Sequence, residues 1–198
     1  MTKYILLTSV LLIFKSSLAQ QLNTADSVNF HDIYSVGIGA HYGFIFAHSK
    51  DVQNTKGAHP WAVELDINRQ IVRNQSWQEC RCYPRTGLVL SYFNLNNEVL
   101  GQSFNAAWYI EPFLSTSHRF NLSMKGAAGL SYLTNPYDAE TNPENMSYSM
   151  HINAYLALGL GGNFKISRNL SAKISAYYNH ISNGGLKDPN KGINWPAA

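Results

Sequence analysis

The residues best suited to chemistry lie near the C-terminal end of the sequence, where one residue separates His180 from Ser182. An imidazole beside a hydroxyl group can act as the general base for a serine nucleophile. Because alternate residues of a strand point to the same side, the two side chains would share one face. The glycines and the Pro189-Asn190 turn that follow could supply backbone N–H groups to an oxyanion. This spacing alone leaves open a non-catalytic alternative, an interfacial histidine beside a loop serine.

The elements that would position these residues are strands, because apolar and polar side chains alternate with a period of two through most of the chain. Most predicted segments have about the nine to eleven residues that a tilted strand needs to cross a bilayer, or slightly more. We predict seven strands, at 36–48, 59–71, 87–95, 104–114, 120–133, 151–166 and 170–182.

These strands predict an all-β fold. We expect an antiparallel outer-membrane β-barrel, for reasons given below. Bacterial single-chain barrels have an even number of strands, because closure leaves no unpaired edge. Eight strands are therefore expected, and the eighth should begin near Ile193, close to the last residue, Ala198. With about seven strands present, we expect the closing strand to be missing or truncated, and a barrel domain at 20–198 that is incomplete at its C-terminus.

Alternation does not say which face of the sheet is outside, since a soluble lipocalin-like barrel has the same period with its apolar face inward. Two features favour the membrane version. Aromatic side chains fall near strand ends on the apolar face, as interfacial girdles do: Phe46, Trp61, Tyr92, Trp108, Tyr132 and Tyr178. The polar face carries charges that could pair inside a narrow lumen: Glu64, Asp66, Glu111, Lys125 and Lys173.

The N-terminus predicts export. Lys3 precedes an apolar run from Tyr4 to Phe14, and Ser17-Leu18-Ala19 offers small residues for cleavage after Ala19, so residues 1–19 are predicted to be a signal peptide. The run is shorter than the roughly 20 residues of a membrane-spanning helix. Of the 15 basic residues, removal of Lys3 and Lys15 leaves 13 against 12 acidic ones, which gives no reason to expect a nucleic-acid partner.

Loop lengths predict which end of the barrel is external. The connections at 115–119 and 167–169 are short, whereas the one at 134–150 is long. Outer-membrane barrels have short periplasmic turns and long external loops, so the strand at 170–182 should end at the external surface. His180 and Ser182 continue its even-numbered apolar face, which would meet lipid. A nucleophile there could reach a substrate in the outer leaflet.

The two cysteines, Cys80 and Cys82, lie in the connection at 72–85, which is long for a periplasmic turn. Export places them where a disulfide can persist. They are either two loop thiols or one strained bridge, and no nearby histidine completes a metal site.

The C-terminal segment resembles a known family. The pattern His180-x-Ser182-Asn183, followed after five residues by Pro189-Asn190-x-Gly192-Ile193, is similar to the active-site segment of the lipid A 3-O-deacylases (PagL-like), including relatives called acyloxyacyl hydrolases. The similarity extends upstream through Gly129–Leu133, Asn142-Pro143-x-Asn145 and Asn153-Ala154, and covers the chain from about residue 36. Members of this family are eight-stranded outer-membrane barrels with a site on the outer wall near the external leaflet.

The resemblance implies roles for individual residues. Ser182 would be the nucleophile and His180 its general base, while Asn183 and the Gly184 backbone would help to stabilise the oxyanion. The family's orienting glutamate is matched here by Asn194, an amide that can orient an imidazole but cannot stabilise imidazolium as a carboxylate does. Asp188 is a second possible orienting residue. No metal or organic cofactor is implied.

These expectations lead to a serine esterase of the bacterial outer membrane that removes an ester-linked 3-hydroxyacyl chain from lipid A of lipopolysaccharide. Its partners would be lipopolysaccharide in the outer leaflet and membrane lipid; the oligomeric state is not predicted. Two alternatives remain at this stage. A non-enzymatic outer-membrane barrel, porin-like or adhesive, would keep the motif as a strand-turn element, and a soluble lipocalin-like carrier would reverse the two faces of the sheet.

Overall fold

The computed structural model describes residues 32–114 and 119–198, so the signal peptide predicted at 1–19 lies outside the described residues. These residues form one eight-stranded antiparallel sheet in which each strand pairs with the next. The strands are β1 Ile33–Tyr42, β2 Trp61–Gln70, β3 Arg85–Asn94, β4 Gln102–Glu111, β5 Phe120–Leu133, β6 Ile152–Lys165, β7 Ser171–Ser182 and β8 Ile193–Ala197. The sheet curls into a barrel-like wall.

The all-β prediction is confirmed, and β5 has the predicted bounds. The largest error concerns β1, which was predicted at 36–48 but forms a regular ladder with β2 only over Ile33–Tyr42. After Tyr42 the backbone stays extended, but its N–H groups bond alternately to the segment 58–60 and to β8. The side-chain pattern still has a period of two, so the sequence does not reveal where the ladder with β2 ends. The eighth strand begins at Ile193 as predicted, with five residues present.

The outer face of the sheet is apolar. Its exposed side chains include Ile38, at 90% exposure, and Leu158, at 67%. A barrel in water would turn these side chains inward, where they would be buried. The orientation therefore excludes the lipocalin-like arrangement and is consistent with an outer-membrane β-barrel.

The inner face carries the charged residues, and they are paired as the sequence predicted. Lys125 Nζ lies 3.2 Å from Glu64 Oε1 and 3.3 Å from Asp66 Oδ2. Lys173 pairs with the buried Glu111. A buried charge is tolerated only when its partners replace water, and these pairs do so.

At one end the barrel wall closes on itself. The segment 42–46, which continues β1, exchanges backbone hydrogen bonds with β8: Phe46 N–H donates to Asn194 O at 2.8 Å, and Ala198 N–H to Tyr42 O at 2.9 Å. On its other side the same segment bonds to Ala58 and Pro60. Buried apolar residues, among them Phe93, Leu133, Tyr148, Ile181, Ile193 and Trp195, fill the interior.

As predicted, the long connection between β5 and β6 lies at one end of the sheet, and the shorter ones between β4 and β5 and between β6 and β7 lie at the other. The loops 43–60, 95–101, 134–151 and 183–192 lie at the closed end, where the first contains a 3₁₀ helix at Lys50–Thr55. At the opposite end, the unexpectedly long connection between β2 and β3 contains a short helix, α1 Asn74–Cys80, and a disulfide joins Cys80 to Cys82. Neither helix in the described part of the chain is long and apolar enough to span a membrane.

Candidate active site

β7 places His180 and Ser182 on the outer wall of the barrel. Tyr177, Asn179 and Ile181 are buried and face inward, so the two alternate residues His180 and Ser182 face outward and are half-buried. This confirms the predicted phase of the strand. Ile181 between them is fully buried and packs in the apolar interior, on the opposite side of the strand from His180 and Ser182.

Asn194 of β8 lies directly opposite His180 in the ladder between the last two strands. Its side-chain Oδ1 is 2.8 Å from His180 Nδ1, within hydrogen-bond distance. Asn194 is buried, at 9% exposure, and its flanking residues Ile193 and Trp195 are packed inside the barrel. The register of the two strands thus brings together the two residues that the family resemblance implies as the base and the match to its orienting residue.

A residue outside the strands, His48, also reaches this site, and the sequence analysis missed it. The extended segment after β1 carries it beside β8, and its Nδ1 lies 3.0 Å from Asn194 Nδ2. The other ring nitrogen, Nε2, lies 2.9 Å from the backbone oxygen of Lys191. His48 and Asn194 are 146 residues apart, so only closure of the barrel reveals the contact.

Ser182 is engaged by the loop that follows β7. Its Oγ accepts a hydrogen bond of 3.0 Å from the backbone N–H of Gly184, a residue with φ of +69°. Within the described residues no hydrogen bond joins Ser182 to His180. Alternate residues of a strand are about 6.6 Å apart along the chain, and catalytic hydrogen bonds are often long before substrate binds.

The side chain of Asn183 points into the barrel end. It is buried, donates from Nδ2 to Lys187 O at 2.7 Å and accepts from Gly185 N–H at 2.9 Å. Its backbone N–H donates to Asn190 Oδ1. The structure therefore does not bring the Asn183 carboxamide to Ser182; it makes Asn183 the residue that shapes the loop around Gly184.

The loop 183–192 is held in place by the long loop 134–151. Lys191 N–H donates to Met146 O, and Gly192 N–H donates to Ser147 O at 2.8 Å. Gly192 itself has φ of +74°, and a Cβ built on it would lie 3.0 Å from His180 Cε1 and 3.5 Å from Ser182 Cβ. Glycine at this position therefore leaves room for the imidazole ring.

A family model described as lipid A 3-O-deacylase (PagL) matches residues 14–196, nearly the whole chain. The chain belongs to the lipid A 3-O-deacylase family. Searches of curated proteins and of solved structures returned no match. Membership supports an enzymatic, hydrolytic role and agrees with the resemblance noted in the segment from His180 to Ile193.

In this member of the lipid A 3-O-deacylase family, the two candidate orienting residues lie in different positions relative to His180. Asn194 contacts His180, whereas Asp188 is an exposed loop residue with no hydrogen bond or ion pair to His180 among the described residues. Across residues 32–114 and 119–198, no three His, Cys, Asp or Glu side chains are grouped as a metal ion would require. The chemistry available at the outer wall is that of a hydroxyl, two imidazoles, an amide and a backbone N–H.

Proposed function

We propose that this protein is an outer-membrane lipid A deacylase that hydrolyses the ester of a 3-hydroxyacyl chain, with Ser182 as nucleophile and His180 as general base. One observation carries the proposal: His180 and Ser182 lie on the outward face of β7, among exposed apolar residues. Leu156 of β6 is the ladder partner of His180, and Tyr178 and Phe46 are exposed on the same wall. An ester whose acyl chain lies in the bilayer can reach a nucleophile in this position.

In the first half of the reaction, Ser182 Oγ attacks the acyl carbonyl carbon while its proton passes to His180 Nε2. That nitrogen has no hydrogen-bond partner among the described residues, while Asn194 contacts Nδ1 on the opposite side of the ring. The tetrahedral intermediate carries an oxyanion, and the Gly184 N–H that now donates to Ser182 Oγ is the donor available to it. Collapse breaks the ester C–O bond, and the sugar alkoxide takes the proton from His180.

In the second half, water replaces the sugar. His180 Nε2 accepts a proton from the water, whose oxygen attacks the acyl-serine carbonyl, and the same N–H stabilises the second oxyanion. Collapse breaks the bond to Ser182 Oγ, which regains its proton from His180. The products are a 3-hydroxy fatty acid and lipid A shortened by one chain. Every proton moves through one imidazole, so no metal or cofactor is needed for the balance.

The proposed site of action is the outer membrane, and the proposed partner is lipopolysaccharide. Export through the signal peptide at 1–19 would deliver the chain to the outer membrane, where its apolar wall would face lipid. The long loops 134–151 and 183–192 would be external, and the Ser182 end of β7 would then lie at the outer leaflet. Lipopolysaccharide in that leaflet is the proposed substrate.

Mass spectrometry of lipid A from cells that produce the full chain tests this function. Wild type should reduce the lipid A mass by one 3-hydroxyacyl chain, and Ser182→Ala should leave it unchanged. Ser171→Ala, the same substitution at the opposite end of β7, is the matched control and should act as wild type. Unaltered lipid A with correctly folded wild-type protein would instead support the non-enzymatic barrel.

A further inference from the structure

The Asn194 amide is held between two histidines on the outer wall. Its Oδ1 lies 2.8 Å from His180 Nδ1, and its Nδ2 lies 3.0 Å from His48 Nδ1. A carboxylate presents equivalent oxygens to a neighbour, whereas an amide presents either an acceptor or a donor, depending on which way it is turned. An asparagine at this position therefore orients the base correctly only if something else fixes its own direction.

His48 is placed to fix that direction. Its Nε2 lies 2.9 Å from the backbone oxygen of Lys191, which can only accept, so Nε2 carries the hydrogen. In neutral His48 the other nitrogen, Nδ1, is then an acceptor, and it takes the N–H of Asn194 Nδ2. The backbone oxygen of Phe46 also approaches Nδ1, but at 3.4 Å the contact is longer.

The direction of the Asn194 amide decides which ring nitrogen of His180 carries the hydrogen. With Nδ2 committed to His48, the amide turns Oδ1 towards His180, so His180 Nδ1 must carry a hydrogen to donate. The lone pair of His180 is then on Nε2, as proton transfer from Ser182 requires. If the amide were reversed, His180 Nδ1 would become an acceptor, and the hydrogen would sit on the nitrogen that must act as base.

We propose that His48 is a positioning residue that sets the amide direction of Asn194 and, through it, the tautomer of His180. The inference rests on the proposed function of Ser182 and His180. It explains how this chain can use an amide where the resemblance leads one to expect a glutamate. His48 touches neither the reacting atoms nor the base directly.

The surroundings of His48 hold it in this role. Lys191, whose backbone oxygen anchors the ring, also forms an ion pair of 3.0 Å from its Nζ to Asp51 Oδ2. Its backbone N–H donates to Met146 O. The loop after β1, the loop before β8 and the loop before β6 are thus tied together at the point that His48 contacts.

The test compares two His48 variants in detergent-solubilised full chain with lipid A as substrate. His48→Leu removes the acceptor and should lower kcat about tenfold, the factor of one lost net hydrogen bond, with KM unchanged. His48→Gln keeps an acceptor for Asn194 and a donor for Lys191 O, so it should recover most of the loss. Heat-modifiable migration on gels would verify that each barrel folds.

The same His48 substitution is also made in the Asn194→Asp variant, where no amide direction has to be set. In Asn194→Asp the carboxylate accepts from His180 in either orientation, so adding His48→Leu should change kcat less than about twofold, a clear departure from additivity. Nitrogen-15 shifts of the His180 ring give an independent measure: wild type should show hydrogen on Nδ1, and His48→Leu a mixture of tautomers.

The outcomes are distinguishable. If Ser182→Ala remains active, the proposed function fails. If Ser182→Ala is inactive but His48→Leu keeps the wild-type kcat and the wild-type His180 tautomer, the inference about His48 is overturned while the proposed function stands. An equal loss of kcat on adding His48→Leu to wild type and to the Asn194→Asp variant would also overturn it, since His48 would then act by another route.

Discussion

His180 Nδ1 lies 2.8 Å from Asn194 Oδ1, at directly paired positions of β7 and β8. The contact depends on register, because a slip of one residue would turn Asn194 into the barrel and Trp195 out. The inward residues Ile181 and Trp195 are completely buried and therefore oppose such a slip. Packing inside the barrel thus sets the geometry of a site on its outer wall.

Gly192→Ala should impair catalysis by displacing the His180 ring. The added Cβ would lie 3.0 Å from His180 Cε1 and 3.2 Å from Ile181 O, so either the ring or the loop must move. A misplacement of about 1 Å can cost about 100-fold in rate. We expect kcat in a micellar lipid A assay to fall by that order.

Gly185→Ala is the matched control for this prediction. Gly185 also has a positive φ, +83°, but a Cβ there would meet nothing within 4 Å. The Gly185→Ala variant should therefore have the backbone strain of a left-handed alanine, about 1–2 kcal/mol, without crowding the His180 ring. Equal losses of kcat in the two variants would show that loop strain, rather than contact with His180, is responsible.

Leu158→Arg should destabilise the barrel in a bilayer. Leu158 lies in the middle of β6 on the outer face and is 67% exposed. An arginine at the midplane costs about 2–4 kcal/mol, and one near the interface about 0–1. Ile166→Arg, just beyond the end of β6 and 63% exposed, is the control.

Folding into lipid vesicles, followed by denaturant titration, would measure both variants. The free energy of unfolding should fall clearly more for Leu158→Arg than for Ile166→Arg. If neither substitution has an effect, the apolar wall does not face lipid, and the membrane placement of the site is wrong.

Lys125→Met should destabilise the interior without altering the site. Lys125 is 4% exposed and pairs with both Glu64 and Asp66, whose charges would lose this partner. Breaking a buried pair typically costs about 3–5 kcal/mol. The denaturation midpoint should fall, while kcat of the folded fraction stays at the wild-type level.

Lys165→Met tests whether loss of any lysine has this effect. Lys165 ends β6, is exposed and has no ion pair among the described residues. Its midpoint should match wild type. A wild-type midpoint for Lys125→Met would mean that the interior pairs contribute nothing measurable to stability.

Much of this fold was predictable because the apolar outer face repeats every second residue. β5 shows this best, since its alternation runs from end to end and its bounds were predicted correctly. β1 shows the limit of the method. Residues 43–46 alternate as well, but they bond alternately to Pro60, Ala58 and β8, and local sequence carries no sign of those partners.

The candidate site was also predictable only in part. The shared outward face of His180 and Ser182 follows from strand geometry alone, and the Asn194 position came from a motif. His48 was missed because its contact with Asn194 forms only when the chain closes, and a lone histidine at the end of a predicted strand carries no local signal. The inward turn of Asn183 was also missed, since hydrogen bonds to the Lys187 and Gly185 backbone decide it.

Covalent labelling of Ser182 tests the central claim most directly. A long-chain alkyl phosphonate with a fluoride leaving group forms a P–O bond only with an activated serine, and its chain suits a nucleophile that faces lipid. We predict that folded wild type gains the mass of one phosphonyl group on the peptide containing Ser182, whereas Ser182→Ala and His180→Ala gain none. Folded wild type without the label, or Ser182→Ala that keeps it, would contradict the account.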